Sequence, residues 1–223
     1  MLQEKQSRGT YLSIIGGEFR KTVQEGTEGA KKREYELKDG SKKVKWEKSY
    51  ESLTGKITGI NFHDGEYGKN ITIFFKDGEE EYGVSMGVAT AFAEDIMKKL
   101  PNVSLDKALT LSPYDFEDDK GKRRRGVTIY QDGKKLENFF YDKEEKKQIN
   151  GAPSPENTDE MDSEDWKMYY AQHRKFTIKY IQDKIVPKFG EKKGFDDEPS
   201  QITASEAFEK FPGDDIASED IPF

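Results

Sequence analysis

The chain has 223 residues, of which 36% are charged and 33% hydrophobic, with no cysteine and two histidines. That composition suits one modest core with solvated appendages, and it excludes thiol nucleophiles, cysteine-rich zinc sites and histidine clusters. No apolar run approaches the roughly 18 residues of a membrane-spanning helix, and Met1-Leu2-Gln3-Glu4-Lys5-Gln6 is too polar for a signal peptide, so a cytoplasmic protein is expected. The formal net charge of −7 is unevenly spread. Residues 195–223 carry nine acidic side chains against Lys210 alone, whereas residues 1–150 are within one charge of neutral.

From Thr10 to about Tyr141 the pattern is mostly β. Runs rich in Ile, Val, Thr, Phe and Tyr are separated by the turn dipeptides Asp39-Gly40, Asp64-Gly65, Asp77-Gly78 and Asp132-Gly133. Strands are predicted near 10–20, 42–50, 53–62, 70–76, 80–86, 108–115, 124–131 and 135–141. One helix interrupts them over Val88 to Leu100, with Val88, Phe92, Ile96 and Leu100 on one stripe and Pro101 as its stop. Residues 146–162 read as a linker or long loop. Residues 163–189 read as an amphipathic helix, capped by Ser163 and carrying the stripe Trp166, Tyr170, His173, Thr177, Ile181, Ile185. Residues 190–223, sparse in apolar side chains, are expected to be disordered.

Parity within the strands divides core from surface. Ile71, Ile73 and Phe75 form one face, which leaves Phe74 as an aromatic on the polar face with Thr72 and Lys76. Likewise Val127 and Ile129 read as core, with Thr128 and Tyr130 opposite, on the side of Arg124. In 42–50, Val44, Trp46, Lys48 and Tyr50 alternate with Lys43, Lys45, Glu47 and Ser49. The expected fold is mainly β: an OB-like small antiparallel barrel over residues 1–145 with one inserted helix, followed by the C-terminal helix and an acidic tail. Pattern alone leaves other small barrels open.

The chain ends Asp214-Asp215-Ile216-Ala217-Ser218-Glu219-Asp220-Ile221-Pro222-Phe223. This ending resembles the tip of bacterial single-stranded-DNA-binding proteins, an acidic run closed by Asp-Ile-Pro-Phe; the matching residues are Glu219, Asp220, Ile221, Pro222 and Phe223. Asp214 and Asp215 look like a partial echo. The resemblance covers about ten residues, and its specificity lies in their terminal position. In that family a Gly/Gln/Pro-rich linker usually precedes the tip; here a charged linker, a helix and a second charged stretch do, a layout closer to phage-encoded members. The resemblance implies recruitment of replication, recombination or repair proteins: a terminal ring beside a free carboxylate needs an apolar pocket with a basic rim.

A second signal is basic and aromatic interleaving. Single-stranded-DNA binders set cations along phosphates and aromatic faces against unstacked bases. Lys43, Lys45, Trp46, Lys48 and Tyr50 offer both, as do Phe74, Lys76 and Tyr130, while Arg123, Arg124 and Arg125 belong to a compact cationic loop running from Lys120 to Arg125. Trp46 and Tyr50 serve equally well as core residues. Arg20, Lys21, Lys31, Lys32 and Arg33 are diluted by neighbouring glutamates and read as solvated or structural.

Catalytic patterns are sparse. There is no Gly-x-x-x-x-Gly-Lys-Ser/Thr loop, and His63 beside Asp64 reads as a turn residue. Asp115, Glu117, Asp118 and Asp119 form the one carboxylate group that a Mg²⁺-dependent nuclease would use, though a solvated hairpin tip explains them better. The expected function is sequence-independent binding of single-stranded DNA, without cofactor, metal or catalysis. A nuclease and a non-DNA adaptor that mimics the tail of a host protein are the alternatives.

Overall fold

The computed structural model describes residues 9–36, 40–65 and 68–190. Its elements in chain order are β1 (Thr10–Ile15), β2 (Glu18–Val23), β3 (Lys31–Glu36), β4 (Lys42–Tyr50), β5 (Leu53–Gly65), β6 (Gly68–Asp77), β7 (Glu80–Gly87), α1 (Ala91–Lys99), β8 (Ala108–Glu117), β9 (Arg123–Gln131), β10 (Lys134–Lys135), β11 (Tyr141–Asp142), β12 (Lys147–Gln148) and α2 (Ser163–Lys184). β11 and β12 pair only with each other; the other strands form one sheet in the order β10-β9-β8-β5-β6-β7-β1-β2-β4-β3.

Strands β5, β6 and β7 are joined by hairpins. The chain then crosses through α1 and returns as β8 beside β5, with β9 following by another hairpin. A fourth strand returning beside the first defines a Greek key, and this part is called the body below. β1 lies parallel to β7, Thr10 opposite Tyr82, and leads into β2, β4 and β3, which form a wing beyond the body.

The expected closed antiparallel barrel is therefore not what forms. The ladder stays open from β10 to β3 and contains one parallel pair, because β1 occupies the free edge of β7 and prolongs the sheet. Its curvature still brings the β1–β2 turn back onto β8. Gly16 (φ 59°) and Gly17 (φ 77°) make that two-residue turn, which splits the single strand expected over 10–20. A methyl group at Gly17 would lie 2.5 Å from the Asp115 backbone nitrogen, so only glycine fits. A register shift between Ile57 and Gly59 bends β5.

The core lies on one side of the body. Ile57, Ile71, Ile73, Phe75, Val84, Leu109, Leu111, Val127 and Ile129 are buried there, with Ala93, Ile96 and Met97 of α1 and Leu100 just after it packed among them. α1 starts three residues later than its apolar stripe predicts. The Val88 amide still bonds the Lys69 carbonyl, and the Thr90 hydroxyl caps the helix by accepting from the Ala93 amide at 3.2 Å. Buried Lys99 donates to Asp95 at 2.8 Å and to the Val127 carbonyl at 2.7 Å, while Asp95 accepts from the Val127 amide, pinning α1 to β9.

α2 is capped by Asp162, not Ser163, in a capping box with Asp165. Its stripe of His173, Thr177, Ile181 and Ile185 is buried, and Arg174 donates to Glu94 of α1 at 2.6 Å. The strand expected over 135–141 is absent: only Lys134–Lys135 and Tyr141–Asp142 are extended, and buried Phe140 instead meets the rings of Phe176, Tyr180 and His173 on α2. No helix among the described residues is long and apolar enough to cross a membrane.

Candidate nucleic-acid interface

Cross-strand partners share a face, so the registers assign each side chain to the core side of the sheet or to its outer side. On the outer side of the body, Gly59, Phe74, Gly83 and Tyr11 lie in one row across β5, β6, β7 and β1. A methyl group at Gly83 would lie 2.8 Å from the Tyr11 ring and 3.6 Å from the Phe74 ring. The absent side chain thus lets two half-buried rings stand side by side over the backbone. Lys76 is two positions from Phe74 on this side, directly opposite Lys56, and both are exposed. Like charges placed opposite each other destabilise a sheet. Farther along the same side, Tyr130 is 43% exposed opposite Thr110, whose hydroxyl meets that of Thr54 at 2.8 Å.

The outer side of the wing carries Arg20, Lys31, Arg33, Lys43 and Lys45 against two acids, Glu18 and Glu47. Glu47 is buried beneath the arginines. Arg33 donates to it through Nε at 2.9 Å and Nη2 at 3.1 Å, and Arg20 Nη1 lies 3.5 Å away. Tyr35 is buried as well, with Arg33 Cζ and Lys45 Nζ over its ring at 5.5 Å and 5.4 Å from the centroid. The glutamates that made β3 look solvated, Glu34 and Glu36, fall on the other side of the strand, which leaves Lys31, Arg33 and Tyr35 together on this face.

The predicted site residues divide between the two sides. Lys43, Lys45, Phe74, Lys76, Arg124 and Tyr130 fall on the outer side; Trp46, Lys48, Tyr50, Arg123 and Arg125 fall on the other. Trp46 is half-buried between Val23 and Lys32, and Tyr50 is 43% exposed opposite Phe19. The β2–β3 connection passes over this side, since a methyl at Gly29 would meet Lys48 Cε at 3.9 Å. Lys32 titrates above the usual lysine range through its hydrogen bond to Glu34, with a smaller push from Glu25 in that connection.

Arg123, Arg124 and Arg125 lie on β9, not in a loop, and each has a carboxylate beside it. Arg123 is bidentate on Asp115 at 2.7 Å and 2.9 Å, Arg125 Nε is 3.4 Å from the same carboxylate, and Arg124 Nε donates to Asp118 at 2.9 Å. The Lys122 backbone amide, followed by the Arg124 side chain and the Lys120 amide, holds the Asp118 carboxyl below the usual range. Glu117 ends β8, and Asp119 sits in the turn. Among the described residues no group of three or more His, Asp and Glu side chains is placed to hold a metal ion. His63 is exposed opposite Asn70.

The reading of the sequence missed Tyr11, Arg20, Arg33, Glu47 and Lys56. Parity could have found Lys56; Tyr11 reaches Phe74 only through the parallel β1–β7 pairing, which no local pattern announces. The tip residues Asp214, Asp215, Glu219, Asp220, Ile221, Pro222 and Phe223 lie outside the described residues. No protein-family model matches the chain, and comparison with curated proteins and with solved structures gives no match either.

Proposed function

We propose that the protein binds single-stranded DNA without sequence preference along the outer side of its sheet, and recruits replication, recombination or repair proteins through its C-terminal tip. The observation that carries this reading is the row of Tyr11 and Phe74 over Gly83, set between the opposed Lys56 and Lys76 on one side and the five cations of the wing on the other. Rings lying on a sheet accept any base by stacking, and cations accept any phosphate. We read the Greek key of β5 to β8 with its fifth strand β9 as an open OB-like unit, whose second and third strands, here β6 and β7, form the usual oligonucleotide face. The acidic tip resembling the bacterial family supports the recruitment half, and the setting follows as the cytoplasm of a bacterial or phage-infected cell.

Titration of labelled oligo(dT) at low and high salt tests the DNA half. Tyr11→Ala and Phe74→Ala should each weaken binding by about 1–3 kcal/mol while the thermal midpoint stays high. Binding that is absent, or unaffected by both changes, rejects this face. For the tip, deletion of Ile221 to Phe223 should leave DNA affinity nearly unchanged and abolish capture of replication and repair proteins from a bacterial lysate. Undiminished capture of the same proteins by the shortened chain rejects recruitment.

A further inference from the structure

The opposed lysines of the body, Lys56 and Lys76, have a counterpart on the other side of the sheet. On the core side, where the sheet runs out beyond the body into the wing, Lys21 of β2 stands directly opposite Lys48 of β4. Both are half-buried, and among the described residues neither ammonium has a hydrogen bond or an ion pair. Of the acids nearby, Glu34 is taken by Lys32 at 2.7 Å, and Glu25 and Glu28 stand exposed in the β2–β3 connection without an ion pair to either lysine. The same connection lies against the stem of Lys48, where a methyl at Gly29 would meet Cε at 3.9 Å, and so limits how far that lysine can swing from Lys21. The rows on either side carry rings: Tyr50, 43% exposed, opposite Phe19, and Trp46, half-buried, opposite Val23. Successive rows on one side of a strand are about 7 Å apart, so each ring is a single step from the lysine pair.

We propose that the core side of the wing is a second single-strand site: Lys21 and Lys48 hold one phosphate between them, and Trp46 or Tyr50 takes an adjacent base. One chain then holds two segments of single strand, on opposite sides of its sheet. This rests on the single-strand-binding reading above, which supplies the class of ligand, but on none of the residues of the outer side. Like charges opposite each other in a ladder repel, and partial burial sharpens the repulsion. A phosphate between the two ammoniums turns that cost into attraction. An anion without a base would leave the flanking rings unused, whereas a nucleotide engages both kinds of side chain. Holding two segments on one chain also raises the effective concentration of each near the other.

The chain has two tryptophans, so Trp166→Phe makes Trp46 the sole reporter on this side of the wing. In that background the full chain is titrated at low salt with oligo(dT) of about 6 nucleotides, near the short end of what one such fold covers. Trp46 emission, the number of oligonucleotides bound per chain and thermal unfolding are recorded. Saturation should quench Trp46. Lys48→Gln removes one cation, and Lys21→Glu sets a carboxylate opposite Lys48. Each should abolish the quenching, remove one bound oligonucleotide per chain and weaken this site about tenfold or more. Lys21→Glu should at the same time hold or raise the thermal midpoint, since it replaces a repulsion by an attraction. Phe74→Ala combined with Lys56→Gln, which disarms the outer side, should leave the Trp46 response in place.

Trp46 emission that saturating oligo(dT) leaves unchanged, while the outer side binds normally, overturns the proposal and leaves the broader reading standing. Lys21→Glu and Lys48→Gln chains that bind as many oligonucleotides as their parent overturn it too. So does a Trp46 response that vanishes with the outer-side variant, since there is then one site and not two. If both lysine variants unfold at the assay temperature, the pair serves the fold and not phosphate. Quenching by a short poly-glutamate as strong as by oligo(dT) assigns the pair to an acidic peptide instead. A parent chain without affinity for oligo(dT) removes the broader reading together with this one.

Discussion

In the body, Ile71, Ile73, Val84, Val127 and Ile129 are at 0% exposure beneath α1, whereas in the wing the side chains buried on the outer face are Tyr35 and Glu47, covered by arginine and lysine. The body is held by apolar area, which is indifferent to salt. The wing is held by ion pairs, cation–π contacts and backbone ladders, of which the first two weaken as ionic strength rises. One continuous sheet thus contains a part that anchors and a part whose cohesion uses the same cations that a phosphate chain would engage. In the proposed function the wing's stability and a bound phosphate chain would therefore compete for one set of charges.

The sharpest way to break this comparison is truncation of one buried side chain in each part. Ile73→Ala should cost about 2–5 kcal/mol in denaturant unfolding, as core truncations do, whereas Tyr35→Ala should cost nearer 1 kcal/mol, since its cover of charged side chains can rehydrate. Equal costs would mean that the wing is continuous with the core. Next in size is acid sensitivity, which belongs to the body. Burial, with a smaller contribution from Lys98, lowers His173 from its ordinary 6.5 to about 4. The folded state holds this histidine neutral while the unfolded chain protonates below about 6.5, so its share of stability is complete above 6.5 and is lost as pH falls toward 4. His173→Phe should flatten the fall in thermal midpoint across that window; an unchanged profile assigns the acid response elsewhere.

A smaller effect should separate the parts by salt alone. Raising ionic strength should speed amide exchange in β3 and β4 relative to β6 and β8, and uniform protection across the sheet would remove the distinction. Smallest of all, Lys43→Ala and Lys45→Ala should each reduce the salt slope of DNA binding by about 0.7 with little change in unfolding. An unaltered slope would take the end of the wing out of the strand's path.

How much of this was legible in the sequence follows from the range of each signal. Asp77-Gly78 and Asp132-Gly133 marked real hairpins, the parity of Ile71, Ile73 and Phe75 placed their side chains correctly, and the stripe from His173 to Ile185 found its buried face. β3 was missed because Lys31-Lys32-Arg33-Glu34-Tyr35-Glu36 has almost no apolar content; its pairing depends on Glu47 across the strand. The pair Gly16-Gly17 was read through as part of a strand, although it is a turn signal in itself. The barrel expectation failed at long range, since the edge of β7 is filled by a strand some seventy residues earlier. The arginines on β9 were read as loop cations because parity was not carried past Arg124 to Asp115.

The parallel pairing of β1 with β7 also sets an order of events during synthesis. β1 and β2 can close their hairpin as soon as they leave the ribosome, and β4 can join them soon afterwards, but Thr10 has no partner until Tyr82 has been made. The wing must therefore wait, tethered and incompletely docked, while β5, β6 and β7 form their meander, because contacts so distant in sequence carry a loop-closure cost that local hairpins do not. During that wait β1 and β3 are both open edges, and on β3 Lys31, Lys32 and Arg33 stand in succession and repel a second copy of the same edge. The charges that would face phosphate in the proposed function thus also guard the β3 edge of the unfinished chain against pairing with its neighbours on a crowded message.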